Sequence, residues 1–110
     1  MQHSGITIST LQKQSHARQN LIRLMQRINY GEIRHLSIRK GEPVLAPAPV
    51  VIRTVKFGGD NSPRSEAIQE DFVLKAEILN FLNEIEEISD GEFESIKIQA
   101  GLPSIGLIHG

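Results

Sequence analysis

The chain has 110 residues, 39% of them hydrophobic and 23% charged, with a formal net charge of −1. That length supports one domain spanning residues 1–110, and the composition is too apolar for a disordered chain. Cysteine is absent, which removes disulfides, thiol nucleophiles and thiolate metal sites. No apolar run approaches the ~20 residues of a bilayer span, and the start MQHSGITIST lacks the basic and long apolar stretches of a secretory signal. A cytoplasmic setting without membrane contact is the expectation.

The first predicted helix begins near Thr10, where Ser9 and Gln12 have the spacing of a capping box. Leu21, Leu24, Met25 and Ile28 mark its apolar face, and Asn29-Tyr30-Gly31 ends it. Residues 34–39 read as a strand with Leu36 and Ile38 inward, followed by a turn at Lys40-Gly41. Ile33 is out of phase with that inward face and is expected to plug the gap between helix end and sheet. The stretch LAPAPVV contains Pro47 and Pro49 and suits an exposed polyproline-like or edge segment. Residues 50–57 form the most β-branched run and are predicted as a strand, and GGDNSP at 58–63 is the clearest loop.

Ser62-Pro63 reads as the N-cap and first residue of a second helix that runs to about Ser89, with Glu66, Glu70 and Asp71 at its positive end. Leu74, Ile78, Phe81, Ile85 and Ile88 make its stripe, and Phe72, Ala76, Leu79 and Leu82 widen it. Such a wide apolar arc implies cover on two sides, by the sheet and by a helix of this or another subunit. Residues 94–99 and 104–109 form a second hairpin that turns at Ala100-Gly101.

Read against itself with an offset of sixty residues, the chain repeats. GEIRHLSIRKGEP at 31–43 and GEFESIKIQAGLP at 91–103 share five of thirteen positions, namely Gly31/Gly91, Glu32/Glu92, Ile38/Ile98, Gly41/Gly101 and Pro43/Pro103. Unrelated segments would share roughly one. The offset also pairs Leu21/Phe81, Ile22/Leu82, Met25/Ile85 and Ile28/Ile88. The unit is a helix running into a hairpin, used twice, with copy one at about 10–57 and copy two at about 63–110. By the same offset the counterpart of strand 50–57 would begin at residue 110, so the second copy is expected to lack one strand. A bare sheet edge of that kind would be a pairing surface for another subunit.

Charge is distributed unevenly. Residues 1–60 carry nine Lys/Arg and three Asp/Glu, a balance of +6, and residues 61–110 carry three and ten, a balance of −7. A basic surface for nucleic acid is one reading, and two halves that offset each other's fields, within the chain or across a dimer, is the other.

No catalytic pattern emerges. The histidines His3, His16, His35 and His109 have no metal-ligand spacing, no G-x-S-x-G elbow is present, and acidic pairs such as Glu84/Glu87 read as a solvated face. Residues 58–61, with Gly58, Gly59, Asp60 and Asn61 between a strand and a helix, are the nearest approach to an anion cradle. Lys56 and Arg64 flank it, and Asp60, Glu66 and Glu70 oppose an anion. Arg34, Arg39, Lys40, Arg53 and Lys56 could share one face and meet phosphates, but Tyr30 and Phe57 are the only rings in the basic half.

Tyr30-Gly31 after an amphipathic helix, then a strand, a glycine turn and an arginine-bearing strand, resembles the short bacterial proteins of the YezD type over residues 18–56. The resemblance implies a small cytoplasmic bacterial α+β protein and assigns no residue a role.

The expected fold is therefore α+β. It is a tandem duplication of a helix–β-hairpin unit, with two helices packed on a mostly antiparallel sheet of four or five strands. Its core draws on Leu21, Met25, Ile28, Leu36, Ile38, Ile78, Phe81, Ile85, Ile88, Ile96 and Ile98. The leading functional expectation is a non-enzymatic protein-interaction or assembly module, with itself as a homodimer or with another protein, and without cofactor or metal. Nucleic-acid binding through the basic half is the alternative, and anion or small-molecule binding at residues 58–61 the third.

Overall fold

The computed structural model describes residues 9–59, 62 and 69–109. A single 3-10 turn, Leu11–Lys13, leads into helix α1, His16–Ile28, and then strands β1, Gly31–Arg39, β2, Glu42–Val44, and β3, Val50–Arg53. Helix α2, Ala76–Ile88, is followed by strands β4, Gly91–Gln99, and β5, Leu102–His109. The five strands form one open antiparallel sheet in the order β2-β1-β4-β5, with β3 beside β2 along the same edge of β1. Among the described residues both helices lie on one side of the sheet and the other side is bare, an α+β arrangement.

The central β1–β4 ladder runs from Gly31↔Ile98 to Ile38↔Gly91. Adding or subtracting sixty converts each of these two pairs into the other, so the ladder has pseudo-two-fold geometry. It also sets the core: Ile33 faces Ile96 and Leu36 faces Phe93, all four buried. Leu21, Ile22, Met25 and Ile28 of α1 and Ile78, Leu82 and Ile85 of α2 close over them. Each such side chain contributes about 1.5–3 kcal/mol by leaving water.

The odd spacing of Ile33 and Phe93 has a different cause from the expected plug. Both residues lie within the strands, and an extra outward residue restores the phase. In β1, His35 takes a φ of 58° and joins Arg34 on the outside, so Ile33 and Leu36 both point inward. In β4, Glu94 has no opposite residue in β5, because the register steps from Phe93↔Ile108 to Ser95↔Leu107. This bulge turns Phe93 and Ile96 to the same side.

Both helices end alike. Asn29 (φ 63°, ψ −63°) and Ser89 (φ 64°, ψ −62°) each form a γ-turn of the rarer positive-φ kind, closed by bonds from Tyr30 N to Ile28 O and from Asp90 N to Ile88 O, both 2.7 Å. Both hairpins turn through consecutive positive-φ residues, Lys40-Gly41 (52°, 74°) and Ala100-Gly101 (52°, 78°). Two such residues in succession match the twist of the strands they join.

Several expectations need correction. Helix α1 starts at His16, because the Ser15 hydroxyl accepts from Arg18 N and caps it there. The Ser9–Gln12 box does not form: Ser9 Oγ accepts from Gln14 Nε2, and Gln12 N donates to Asp71 Oδ1. Helix α2 starts at Ala76 and not at Pro63, which lies outside the described residues with Arg64 and Glu66. Before it, Phe72 and Leu74 are buried on either side of exposed Val73, a period of two. Leu11 N donates to Phe72 O (3.0 Å) and Leu74 N to Ser9 O (2.9 Å), so this stretch pairs with the N-terminal segment. Strand β3 stops at Arg53, after which Thr54 N donates to Tyr30 O (2.7 Å).

A further correction concerns the missing strand. No strand is lacking beside β4, because β5 pairs with it from Gln99↔Leu102 to Glu92↔His109. The first half covers the same length with β2 and β3, separated by the proline-containing loop 45–49. Phe81 and Ile88, expected in the core, are only half-buried against it.

Candidate functional site

The bare side of the sheet carries charges that are mostly matched. Glu32 Oε1 accepts from Arg34 at 2.9 Å and Glu32 Oε2 accepts from the Ser95 hydroxyl at 2.7 Å. The Ser95 hydroxyl first, and the Arg34 guanidinium second, hold the Glu32 carboxyl below its ordinary value. His35 Nδ1 lies 3.4 Å from Glu92 Oε2 and His109 Nε2 lies 3.1 Å from Glu94 Oε1. Alternating signs on one pleated face suit a solvated surface. Among the described residues no cluster of three or more His, Asp or Glu is placed to hold a metal ion.

The two edges are different. Strand β5 borders the sheet over eight residues, and the run from Ser104 to Ile108 carries no charged side chain. Ile105 is 63% and Leu107 56% exposed. Edge strands commonly carry lysine, proline or a bulge that blocks further pairing; in β5 Pro103 and the register step at Ser104 stand at its start, and Ile105 to Ile108 carry none of these. Between β5 and α2 lies a groove of about 360 Å³, floored by Phe81, Phe93 and Ile96 and rimmed on the helix by Glu77 and Glu84. Phe81 and Phe93 stack there with ring centroids 5.6 Å apart.

The opposite edge carries β3, where Val50, Val51 and Ile52 are all exposed. A second groove, of about 300 Å³, separates it from α1 and is lined by Leu24, Leu45, Pro49 and Val51 with Arg23 and Arg27 on the helix. Val51 opposes Ile33 and Ile108 opposes Phe93, so the two grooves occupy equivalent places in the two halves. One rim is acidic and the other basic. The charge asymmetry of the sequence thus surfaces as two edges of opposite sign. Between the helices the halves do meet: Arg18 donates to Gly41 O (2.9 Å) and lies 3.5 Å from Glu42 and 3.6 Å from Glu86.

The basic residues singled out in the sequence are spread apart. Arg34 is on the bare side, bound to Glu32, and Arg39 is exposed at the far end of the same strand. Lys40 is in the hairpin turn, with its backbone N–H on Asp90 Oδ1 at 3.0 Å. Arg53 pairs with Gly31 and therefore belongs to the helix side. The Lys56 ammonium sits 5.4 Å from the centre of the Tyr30 ring. Gly58 and Gly59 are exposed, and since α2 begins at Ala76 they do not lead into its N-terminus. Asp60, Asn61 and Arg64 lie outside the described residues. Sequence reasoning missed Ile105 and Leu107, whose alternation resembles that of any half-buried strand. Glu77 and Glu84, seven residues apart on one helical stripe, were the available signal.

No protein family, curated protein or solved structure matches this chain. Among the described residues no helix is long and apolar enough to cross a membrane.

Proposed function

We propose that the protein is a cytoplasmic, non-enzymatic interaction module whose partner is another copy of itself, a homodimer being the smallest assembly. The observation that carries this reading is the outer edge of β5 beyond Pro103, where Ile105 and Leu107 are exposed on the bare face and an apolar groove separates the strand from α2 on the other. Unpaired N–H and C=O groups with aliphatic flanks favour a further strand, because pairing satisfies the backbone and removes apolar area from water. The matching ladder, γ-turns and hairpin turns support an origin by tandem duplication of a helix–hairpin unit. On that reading, the internal β1–β4 pairing is the kind of contact that the outer edges can repeat.

The test is sedimentation velocity over a concentration series, with the parent chain and Leu107→Lys. The parent should associate as concentration rises into the high micromolar range, and Leu107→Lys should remain monomeric, since a lysine there guards the edge at little expense to an already exposed site. A parent chain that is monomeric throughout removes the proposal.

A further inference from the structure

We infer that association is head-to-tail, with the β5 edge of one copy receiving the β3 edge of the next, so that one five-stranded sheet continues into another. This rests on the self-association proposed above and specifies which surfaces meet.

Strand direction comes first. β1 is antiparallel to β3 and to β4, and β4 is antiparallel to β5, so β5 and β3 run in opposite directions. A second copy set beside β5 in the same orientation therefore presents β3 antiparallel, with both helix layers on one side of the joined sheet. No element has to turn over for the ladder to continue.

The rows of side chains agree with this placement. Across the sheet, Leu107 pairs with Ser95, Ser95 with Arg34, and Arg34 with Val50. In the next row Ile105 pairs with Lys97, Lys97 with Glu32, and Glu32 with Ile52. Continuing these rows into a neighbour brings Leu107 against the next copy's Val50 and Ile105 against its Ile52. Four aliphatic side chains, now exposed, would then cover one another as cross-strand neighbours.

Charge selects this contact over the symmetrical ones. On the helix side the β5 edge is flanked by Glu77 and Glu84, and the β3 edge by Arg27 and Arg53, while the Arg23 guanidinium is held by Gln26 and the Gln69 carbonyl. Because α2 turns directly into β4, the start of α2, with Glu77, lies beside the end of β4 and the nearby Pro103. Arg53 is at that same level on the other edge, through Gly31↔Ile98 and Ile98↔Pro103. A head-to-tail step sets carboxylates against guanidinium groups. A two-fold contact of β5 with β5 would set the glutamate row against itself, and β3 with β3 the arginine row, and like charges so opposed disfavour a contact. Such a heterologous interface generates a ring if its rotation closes and a filament if it does not.

The experiment uses the full chain and two double variants, Glu77→Lys with Glu84→Lys and Arg27→Glu with Arg53→Glu, all at exposed positions. Circular dichroism confirms that each is folded, and sedimentation velocity at low and high salt reads association. Each variant alone should associate at least about tenfold more weakly than the parent. An equimolar mixture should regain parent-like assembly, because each partner supplies one native edge. Added salt should weaken parent association, as the charges are screened. If the parent associates and either variant associates as tightly as the parent, head-to-tail assembly is overturned while self-association stands. A mixture that stays monomeric overturns it too. A parent that never associates overturns both.

Discussion

Gly31 opens β1 where β3 crosses closest to it, and replacing it tests how the first half is built. A Cβ added there would lie 2.0 Å from the Ile52 carbonyl oxygen, 3.0 Å from Arg53 Cα and 3.0 Å from Ile28 Cγ2. Real Cβ atoms essentially never approach closer than 3.0 Å, so the end of β3 must retreat by about 1 Å. That retreat pulls Arg53 out of register with Gly31 and breaks the bond from Thr54 N to Tyr30 O. One lost backbone hydrogen bond at about 1 kcal/mol and a side chain forced to a φ of 156°, at about 1–2 kcal/mol, less about 0.5 kcal/mol from the stiffer unfolded chain, leave Gly31→Ala less stable by about 2 kcal/mol. Its counterpart Gly91 would meet only a side-chain methyl, Ile88 Cγ2 at 2.9 Å, which can rotate away. Gly91→Ala should therefore stay within about 0.5 kcal/mol of the parent. Urea melts of both variants give the two values, and amide exchange at residues 51–54 should rise in Gly31→Ala alone. Equal effects at the two glycines, or unchanged protection in β3, would refute the reasoning.

Three further outcomes are expected. Ala100 holds a φ of 52° before Gly101, a position suited to asparagine, so Ala100→Asn should raise stability by about 0.5–1 kcal/mol in the same melts, and any loss counts against the turn assignment. Ile33→Ala should cost about 2–5 kcal/mol because Ile33 is fully buried, whereas Phe81→Ala, at a half-buried groove residue, should cost less, about 1–2 kcal/mol. The reverse order would show the core misplaced. For Glu32, a folded pKa below its ordinary 4.5 means that the unfolded chain takes up the proton more readily. Its contribution is present above pH 4.5 and is lost as pH falls through the lower folded value. Glu32→Gln should flatten the acid limb of the stability–pH curve, and an identical limb in both proteins would dismiss the interaction.

Features set by local chemistry were legible in the sequence. Gly41 and Gly101 follow apolar alternations that end in a turn, and the glycine after each helix marks where the strand begins, so α1, β1, β4 and both hairpins follow from short stretches. The segment before α2 did not, because Phe72 and Leu74 are held by pairing with Ser9 and Leu11, far away in sequence. A helical stripe running back from Ile78 through Leu74 reads as continuous until that partner is known. Applied to β5, the sixty-residue offset misleads because loop 45–49 splits the strand beside β1 into β2 and β3, and only the registers show that Val51 and Ile108 hold equivalent places beside Ile33 and Phe93. A bare edge next to the second half is implied by that offset, yet the edge in the structure is the outer side of β5. The opposite charges of the halves are plain in composition. Their concentration at two edges depends on which helical stripe faces which strand, and that is a property of packing.

The γ-turns explain why the two halves of the chain form one unit. Asn29 and Ser89 occupy a sparsely populated backbone region, at about 1–3 kcal/mol of strain each. Each strained turn is held from the other half: Gly101 N donates to Asn29 O, and Gly41 N to Ser89 O, both at 2.8 Å. The tip of each hairpin thus satisfies the carbonyl at the helix end of the opposite half. Neither half can complete its own helix-to-strand corner, so the corners and the β1–β4 ladder between them form together or not at all. The outer grooves take no part in this exchange. Of the charges on their rims, Arg23 donates to the Gln69 carbonyl and lies over the Phe72 ring, whereas Arg27, Arg53, Glu77 and Glu84 are exposed and stand clear of the bonds that close the two corners. The same layout that forces symmetry at the centre permits asymmetry at the rims, and a polar pair of edges is what a head-to-tail contact requires.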